Sequence, residues 1–385
     1  MKRNIYLMYA IAFLQGMVFY GPVATLYRQA QGVSVFQITL IESVSLILCI
    51  LLEAAWGIAA DKIGYRKTMI FCCILYFLSK LVFWRASGFA GFLTERVMLS
   101  VVIAGMSGVD TSILYLSCKG ENSQKVFGIY HSLQTAGLLT AAAVFSLFVR
   151  ENYPLSGLLT VLSYGTAAAL SLALIEVAPE GERRSGAKGF REALSETFGS
   201  RQLLKFLIGS ALLNETHQTV TVFLNQLQYE VCGLGNAAMG YIYIAATVLG
   251  MCGVWSARFT KRAGIPASAA ILCAASAVSC LVLAGTKRAL PSVCGILMLR
   301  VSNSLFLPFQ MEMQNRQVRT QYRATALSIQ AMLLDSIGAG TNLAFGALAE
   351  RHLAGAFFFG AGICAGGAAL LLKSSRNLGE KQAKS

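Results

Sequence analysis

The sequence predicts an all-α polytopic membrane protein, with twelve transmembrane helices arranged as two pseudo-symmetric six-helix bundles. Three observations lead there. Of 385 residues, 56% are hydrophobic and only 13% are charged, against about 45–50% and roughly 25% in soluble domains, and mean hydropathy is +0.60. The apolar residues gather in long unbroken runs without the two-residue alternation of barrel strands, so the spans are helices. The charges sit in the short gaps between runs and are mostly basic. So little charge does not cover the surface of a soluble chain this size. Basic residues dispersed in this way are not the clustered patch of a nucleic-acid binder. A soluble enzyme, a disordered chain and a nucleic-acid partner are therefore excluded, despite a net charge of +14.

A helix needs about 20 mainly apolar residues to cross a hydrocarbon core about 30 Å thick. The first run, 5–27, follows Met1-Lys2-Arg3 without the small-residue cleavage site of a signal peptide, so it reads as a span. Runs at 36–60 and 68–86 follow, separated by a basic gap. The run at 89–117, like the later one at 321–349, exceeds the minimum length, which predicts tilt or protrusion. Runs at 124–149 and 153–177 complete the first bundle, residues 1–177. A polar stretch at 178–202, with Pro179, Gly181, Gly186 and Gly189 among many charges, is the central cytoplasmic loop. The second bundle, 203–385, holds runs at 203–228, 236–259, 266–286, 289–312, 321–349 and 353–373, then a short tail.

Orientation follows from Lys and Arg. With both termini inside, 23 of the 32 lie in inner segments and six in outer loops, which gives cytoplasmic termini and an even number of spans. Three remain within the membrane: Lys80, Arg96 and Arg300. Trp56, Trp84 and Trp255 fall near span ends, at interfacial depth. The expected location is the cell membrane, a bacterial inner membrane, with the basic rim against anionic lipid. The ten cysteines lie in apolar runs or at their ends, with no C-x-x-C and no zinc spacing, so they read as small fillers in a reduced chain that holds no metal. No phosphate-binding loop, H-E-x-x-H or G-x-S-x-G is present, so neither an enzyme nor a cofactor is expected.

The two halves echo each other. Trp56-Gly57 with Asp61-Lys62 parallels Trp255-Ser256 with Thr260-Lys261; Ser132-Leu133-Gln134 parallels Ser328-Ile329-Gln330; Arg96-Val97 parallels Arg300-Val301. Parallel repeats of this kind place a substrate site near the bilayer midplane, between the halves. The turn between spans two and three, Gly57-Ile-Ala-Ala-Asp61-Lys62-Ile-Gly64-Tyr-Arg66-Lys67, resembles the G-x-x-x-D-R/K-x-G-R-R/K loop of the major facilitator superfamily, with Tyr65 replacing one basic residue. Together with the twelve spans and the repeat, the resemblance extends over the whole chain. It implies a monomeric secondary transporter with rocker-type alternating access, and a latch in which Asp61 meets the positive end of span eleven. Arg66 and Lys67 would then reach carboxylates or lipid phosphates. Glu53 and the Ser107-Gly108-Val-Asp110 to Tyr115 pattern in span four are similar to bacterial exporter subgroups. The Gly/Pro-rich span-five run of drug–proton antiporters is missing: span five has Gly128 and Gly137 but no proline.

Ionisable groups at mid-bilayer must face a partner or a cavity. Glu42, Lys80 and Glu95-Arg96 fall at one depth of the first half, as a structural ion-pair cluster or an outer gate. Glu53 and Asp110 lie deeper, near Arg66, as an inner gate or as packing. In the second half, Asn214, Gln218, Thr221 and Asn225 repeat at i, i+4, i+7 and i+11 and draw one polar stripe; Glu215 and His217 flank it. Arg300 and Asn303 on span ten and Asp335 on span eleven are central, and Gln15, His131 and Gln134 face them from the first half. Asp335 and Arg300 form either a buried pair or one with which substrate and proton compete. Glu215 and Asp335 are the leading proton-coupling groups, with Glu53 and Asp110 as alternates. The function expected is export of a small organic molecule in exchange for protons. Proton-coupled uptake of a small polar solute is the alternative, and a channel or receptor the rival from another class.

Overall fold

The computed structural model describes residues 2–107, 109–118, 123–177, 191, 194–195, 197–317 and 323–382, and every regular element among them is helical. In order these are α1 Lys2–Gly16, α2 Ala24–Ala30, α3 Val35–Ile63, α4 Tyr65–Arg85, α5 Gly88–Met106, α6 Val109–Ser117, α7 Ser123–Val144 and α8 Tyr153–Ser171. There follow α9 Arg201–Gln218, α10 Asn225–Val231, α11 Asn236–Leu249, α12 Ser256–Ala263, α13 Ile265–Gly285, α14 Ala289–Gln317, α15 Arg323–Arg351 and α16 Leu353–Gln382. Local chemistry sets several starts: Asn152 caps α8 by accepting from the Leu155 N–H at 3.0 Å, and Ser200 caps α9 by accepting from that of Leu203 at 3.2 Å.

Ten helices among the described residues have the length and apolarity of a membrane span. Spans six and seven are helical where the sequence predicts them but fall short in apolarity. The reason is that their polar side chains point into protein: Ser156, Thr160 and Ser171 on α8, and Glu215, Thr216 and His217 on α9, are all buried. Span four, Gly88–Ser117, is not one continuous helix. It breaks at Ser107, between α5 and α6. Span seven continues from α9 to α10 through a π turn, Thr219–Leu224, and span eight tightens into a 3-10 segment, Gly250–Trp255, between α11 and α12.

The chain forms two compact units. The first comprises the described residues up to Val177 together with Gly235–Ile244; the second comprises the described residues from Arg191 to Leu234 and from Ala245 onward. The first packs around Met8, Ile11, Met69, Ile113 and Leu114, and Asn236 donates there to Glu151 at 2.9 Å and to the Tyr153 hydroxyl at 3.1 Å. The second packs around Leu207, Leu213, Phe306 and Cys364.

The repeat seen in sequence has two structural counterparts. Gly64 (φ +98°) and Gly264 (φ +83°) each precede a helix, α4 and α13, in a backbone conformation that disfavours any side chain. Asn4 bridges to the end of α8, donating to the Ile175 carbonyl and accepting from its N–H, both at 2.9 Å. Correspondingly, Gln202 donates to the Ser374 carbonyl at 2.9 Å, and the Ser374 hydroxyl donates to the Gln202 carbonyl at 3.0 Å. An amide side chain thus ties the first helix of each unit to its last.

Backbones approach closely where α1 crosses α7. A Cβ added at Gly137 would lie 2.1 Å from the Phe13 carbonyl oxygen, and one at Gly16 would lie 2.2 Å from that of Gln134. Gly137→Ala is therefore expected to cost about 1–3 kcal/mol, the usual range for overpacking against atoms that cannot move aside. Gly128→Ala on the same helix meets no atom within 4 Å and should be neutral or slightly stabilising. Melting of the purified protein in detergent checks the pair; equal melting temperatures would refute the close crossing.

Candidate functional site

The polar interior of the second unit is built on span seven. The regular stripe expected from 214 to 225 is split by the π turn, which adds a residue between Gln218 and Asn225. Four successive β-branched or polar residues, Thr219-Val220-Thr221-Val222, start this turn; such side chains crowd the preceding turn of an α-helix, and π turns of this kind recur at functional sites. Asn214 is half-buried and donates to Gln310 on α14 at 2.8 Å, and Gln310 donates on to Gln314 at 3.4 Å. Gln218 is exposed. The Thr221 hydroxyl turns back to the His217 carbonyl at 2.8 Å, and Asn225 is buried.

Glu215 is 8% exposed. The Thr219 hydroxyl, one turn on, lies 2.9 Å from its Oε1 and 3.1 Å from Oδ1 of Asn342 on α15. Both Thr219 and Asn342 are fully buried. The sequence offered one cue to this group, the i, i+4 spacing of Glu215 and Thr219; nothing near Asn342 marks it. The paired amides Gln310 and Gln314 were likewise missed.

His217 does not join Glu215. Its Nε2 lies 3.2 Å from the Ser276 hydroxyl, and the hydroxyls of Ser276 and Ser302 both donate to the Leu272 carbonyl. The two serine hydroxyls lie 3.1 Å apart, and the buried Nδ1 of the imidazole has no hydrogen-bond partner. His217 thus ties α9 to α13 and α14.

Arg300 lies against the bare backbone of span eight: a Cβ at Gly250 would be 3.2 Å from its Nε. Asn303 is half-buried, with Oδ1 unpartnered, and Asp335 is half-buried on α15. Two ion pairs lie in the first unit, Lys80–Glu95 and Arg96–Glu42.

In that unit Gln15 is buried; its side-chain amide donates to Cys73 at 3.5 Å, and its backbone carbonyl accepts from the Tyr164 hydroxyl. His131 and Gln134 are exposed on α7. Asp110 stands in the first turn of α6, just past the break in span four. Its carboxylate accepts from the Thr111 N–H at 2.6 Å and from the Tyr130 hydroxyl at 3.2 Å, an arrangement that also suits the positive end of that short helix.

Of the loop after span two, the side chains of Glu53, Asp61 and Lys62 and the surroundings of Gly57 lie outside what is described. Lys67 is exposed. Arg66 is engaged within its own unit: its Nε donates to the Leu174 carbonyl at 2.6 Å and its Nη2 to that of Leu172 at 3.4 Å, while its N–H donates to Glu176 at 3.1 Å. It therefore satisfies carbonyls that the end of α8 leaves open, where a side-chain carboxylate or lipid phosphate was expected; the Glu176 carboxylate meets its backbone instead.

A family model described as the Major Facilitator Superfamily matches residues 5–342. No curated protein matches the sequence. Among solved structures, the chain is similar to the nucleoside transporter NupG at 16% identity and a TM-score of 0.79, covering 96% of this chain and 98% of that one. It is similar to the POT family transporter PepTSo at 13% identity and a TM-score of 0.76, covering 98% of each. Similarity to a D-xylose–proton symporter is 12% identity with a TM-score of 0.75, covering 96% of this chain and 97% of that one.

Proposed function

The chain belongs to the major facilitator superfamily, and from that premise we propose that it carries a small, uncharged or zwitterionic polar solute together with protons, by alternating access. The observation that carries the reading is the chemistry of the second unit: a buried carboxylate, Glu215, on α9, and amides on α9 and α14, Asn214, Gln218, Asn303, Gln310 and Gln314, of which Asn214, Gln310 and Gln314 are hydrogen-bonded in a chain. Amides offer both donors and acceptors at fixed positions, which is how a site orients a hydroxyl- or amide-bearing solute. A broadly tolerant drug site favours apolar, adaptable lining instead. Arg300 accommodates a carboxylate or another acceptor group on the solute.

Glu215 is the proposed proton carrier, with Asp335 second and Asp110 and Glu53 as further candidates. Gln15, whose side chain is committed to packing, contributes least; His131 and Gln134 are the solute-facing candidates of the first unit. The basic gaps, 23 of 32 Lys and Arg on one side, support cytoplasmic termini in a bacterial inner membrane, and the chain is proposed to work as a monomer.

Symport is the direction that a polar-solute site favours. Antiport export is the second reading, favoured by the Ser107 to Tyr115 pattern of span four. Proteoliposomes with a pH-sensitive dye inside, challenged with nucleosides, pentoses, dipeptides and a cationic dye, separate them. Protons moving with an added polar compound support symport. Protons moving against it support antiport, and a response to the cationic dye alone overturns the polar-solute site.

A further inference from the structure

Hydrogen counting around Thr219 points to a two-position switch. A threonine hydroxyl has one hydrogen to give, yet Thr219 Oγ1 lies at bonding distance from two acceptor oxygens, Glu215 Oε1 at 2.9 Å and Asn342 Oδ1 at 3.1 Å. All three side chains are at least nine-tenths buried, where a mismatched polar contact is costly. Two arrangements satisfy these heavy-atom positions. In the first, Glu215 is protonated and donates to Thr219, which donates to the Asn342 carbonyl. In the second, Glu215 is ionised and accepts from Thr219, and the Asn342 amide is turned over so that its NH2 donates to the threonine oxygen. The oxygen and nitrogen of an amide occupy nearly the same envelope, so the turn needs no change in packing.

We infer that Thr219 and Asn342 convert the protonation of Glu215 on span seven into the orientation of an amide on span eleven. This rests on the proposed role of Glu215 and adds two positioning residues to it. α15, which carries Asn342, packs against α9, so the turned amide presents a different face to the helix pair in each protonation state. Among the described residues, the charged groups on the elements around Glu215 are Arg300 and Glu312 on α14, Asp335, Glu350 and Arg351 on α15, Lys373 on α16, and Arg201 and Lys205 on α9 itself. His217 on α9 itself is committed to Ser276, and α13 contributes only the thiols of Cys273 and Cys280.

The test needs no identified solute, because the probe is the proton. Infrared difference spectra of the full chain in lipid nanodiscs, recorded as pH is stepped, follow the protonated-carboxyl band that Glu215→Gln removes. Isotope-labelled asparagine, with Asn342→Leu as the reference, isolates the amide band. The switch predicts that both bands titrate with one midpoint and that Glu215→Gln abolishes the Asn342 response. Thr219→Val has the same shape but removes the donor to the ionised carboxylate, so it should move the midpoint upward by about one pH unit, and Thr219→Ser should restore it. Asn342→Asp, once ionised, can only accept, so it holds the hydroxyl hydrogen away from Glu215 and should move the midpoint further up. An Asn342 band indifferent to pH while Glu215 titrates overturns the switch and leaves the coupling role intact. An absent Glu215 band overturns the switch as well, and proton-driven transport by Glu215→Gln then decides the coupling role separately.

Discussion

Glu215→Gln should abolish accumulation driven by a pH gradient while the protein still inserts and still exchanges solute across a membrane without one. Glutamine fills the same space and keeps a polar contact for Thr219, but it can neither take up nor release a proton. For one proton carried per solute, each pH unit is worth about 1.4 kcal/mol and therefore a factor of ten in accumulation. Across two pH units the expected ratio falls from about a hundredfold to unity, whereas a residue that only shapes the site would change rate and leave the final ratio alone. Asp335→Asn is the companion variant, since Asp335 is the other central acid of the second unit. If both variants accumulate solute as the parent does, the coupling group lies elsewhere, and Asp110, held by Tyr130 and Thr111, is the next to neutralise.

The sequence made the helices legible and left their interruptions hidden. The runs expected at 68–86 and 266–286 appear as α4, Tyr65–Arg85, and α13, Ile265–Gly285, because an apolar run bounded by a basic gap has few ways to sit in a bilayer. The breaks at Ser107, Thr219–Leu224 and Gly250–Trp255 escaped, because hydropathy is continuous through each of them. Their local cues are a Ser-Gly pair, a β-branched run and two glycines three apart. The coupling candidate Glu215 was visible as a lone acid in an apolar run. Its neighbours were not: Thr219 and Asn342 are 123 residues apart in sequence, and only the packing of α9 against α15 brings them together. Arg66 shows the same limit from the other side, since the backbone carbonyls that receive it carry no mark in a sequence.

Lys80→Met should be among the most damaging substitutions in the first unit. Lys80 and Glu95 pair at 3.0 Å with side chains 5% and 1% exposed, and the ammonium also lies over the rings of Tyr20, Tyr76 and Tyr164 at 5.2–5.9 Å. Arg96, the next residue, pairs with Glu42 on α3, so two ion pairs fasten span four to its neighbours. Removing one member of a buried pair costs about 3–5 kcal/mol, because the other charge is left without its counterion. The two single variants should not cost the same. Lys80→Met strands the Glu95 carboxylate, whose Oε2 already has no hydrogen-bond partner. Glu95→Gln leaves the ammonium facing three aromatic rings, each able to return about 0.5–2 kcal/mol, so it should be the milder change. Lys80→Met combined with Glu95→Leu removes both charges and should recover most of the loss. Melting in detergent gives the order, and transport by the double variant distinguishes the two readings of the cluster. A structural pair predicts that the stabilised double variant still transports; an outer gate predicts that it melts like the parent and has lost transport. Burial this deep, with an aromatic face on three sides of the cation, favours the structural pair.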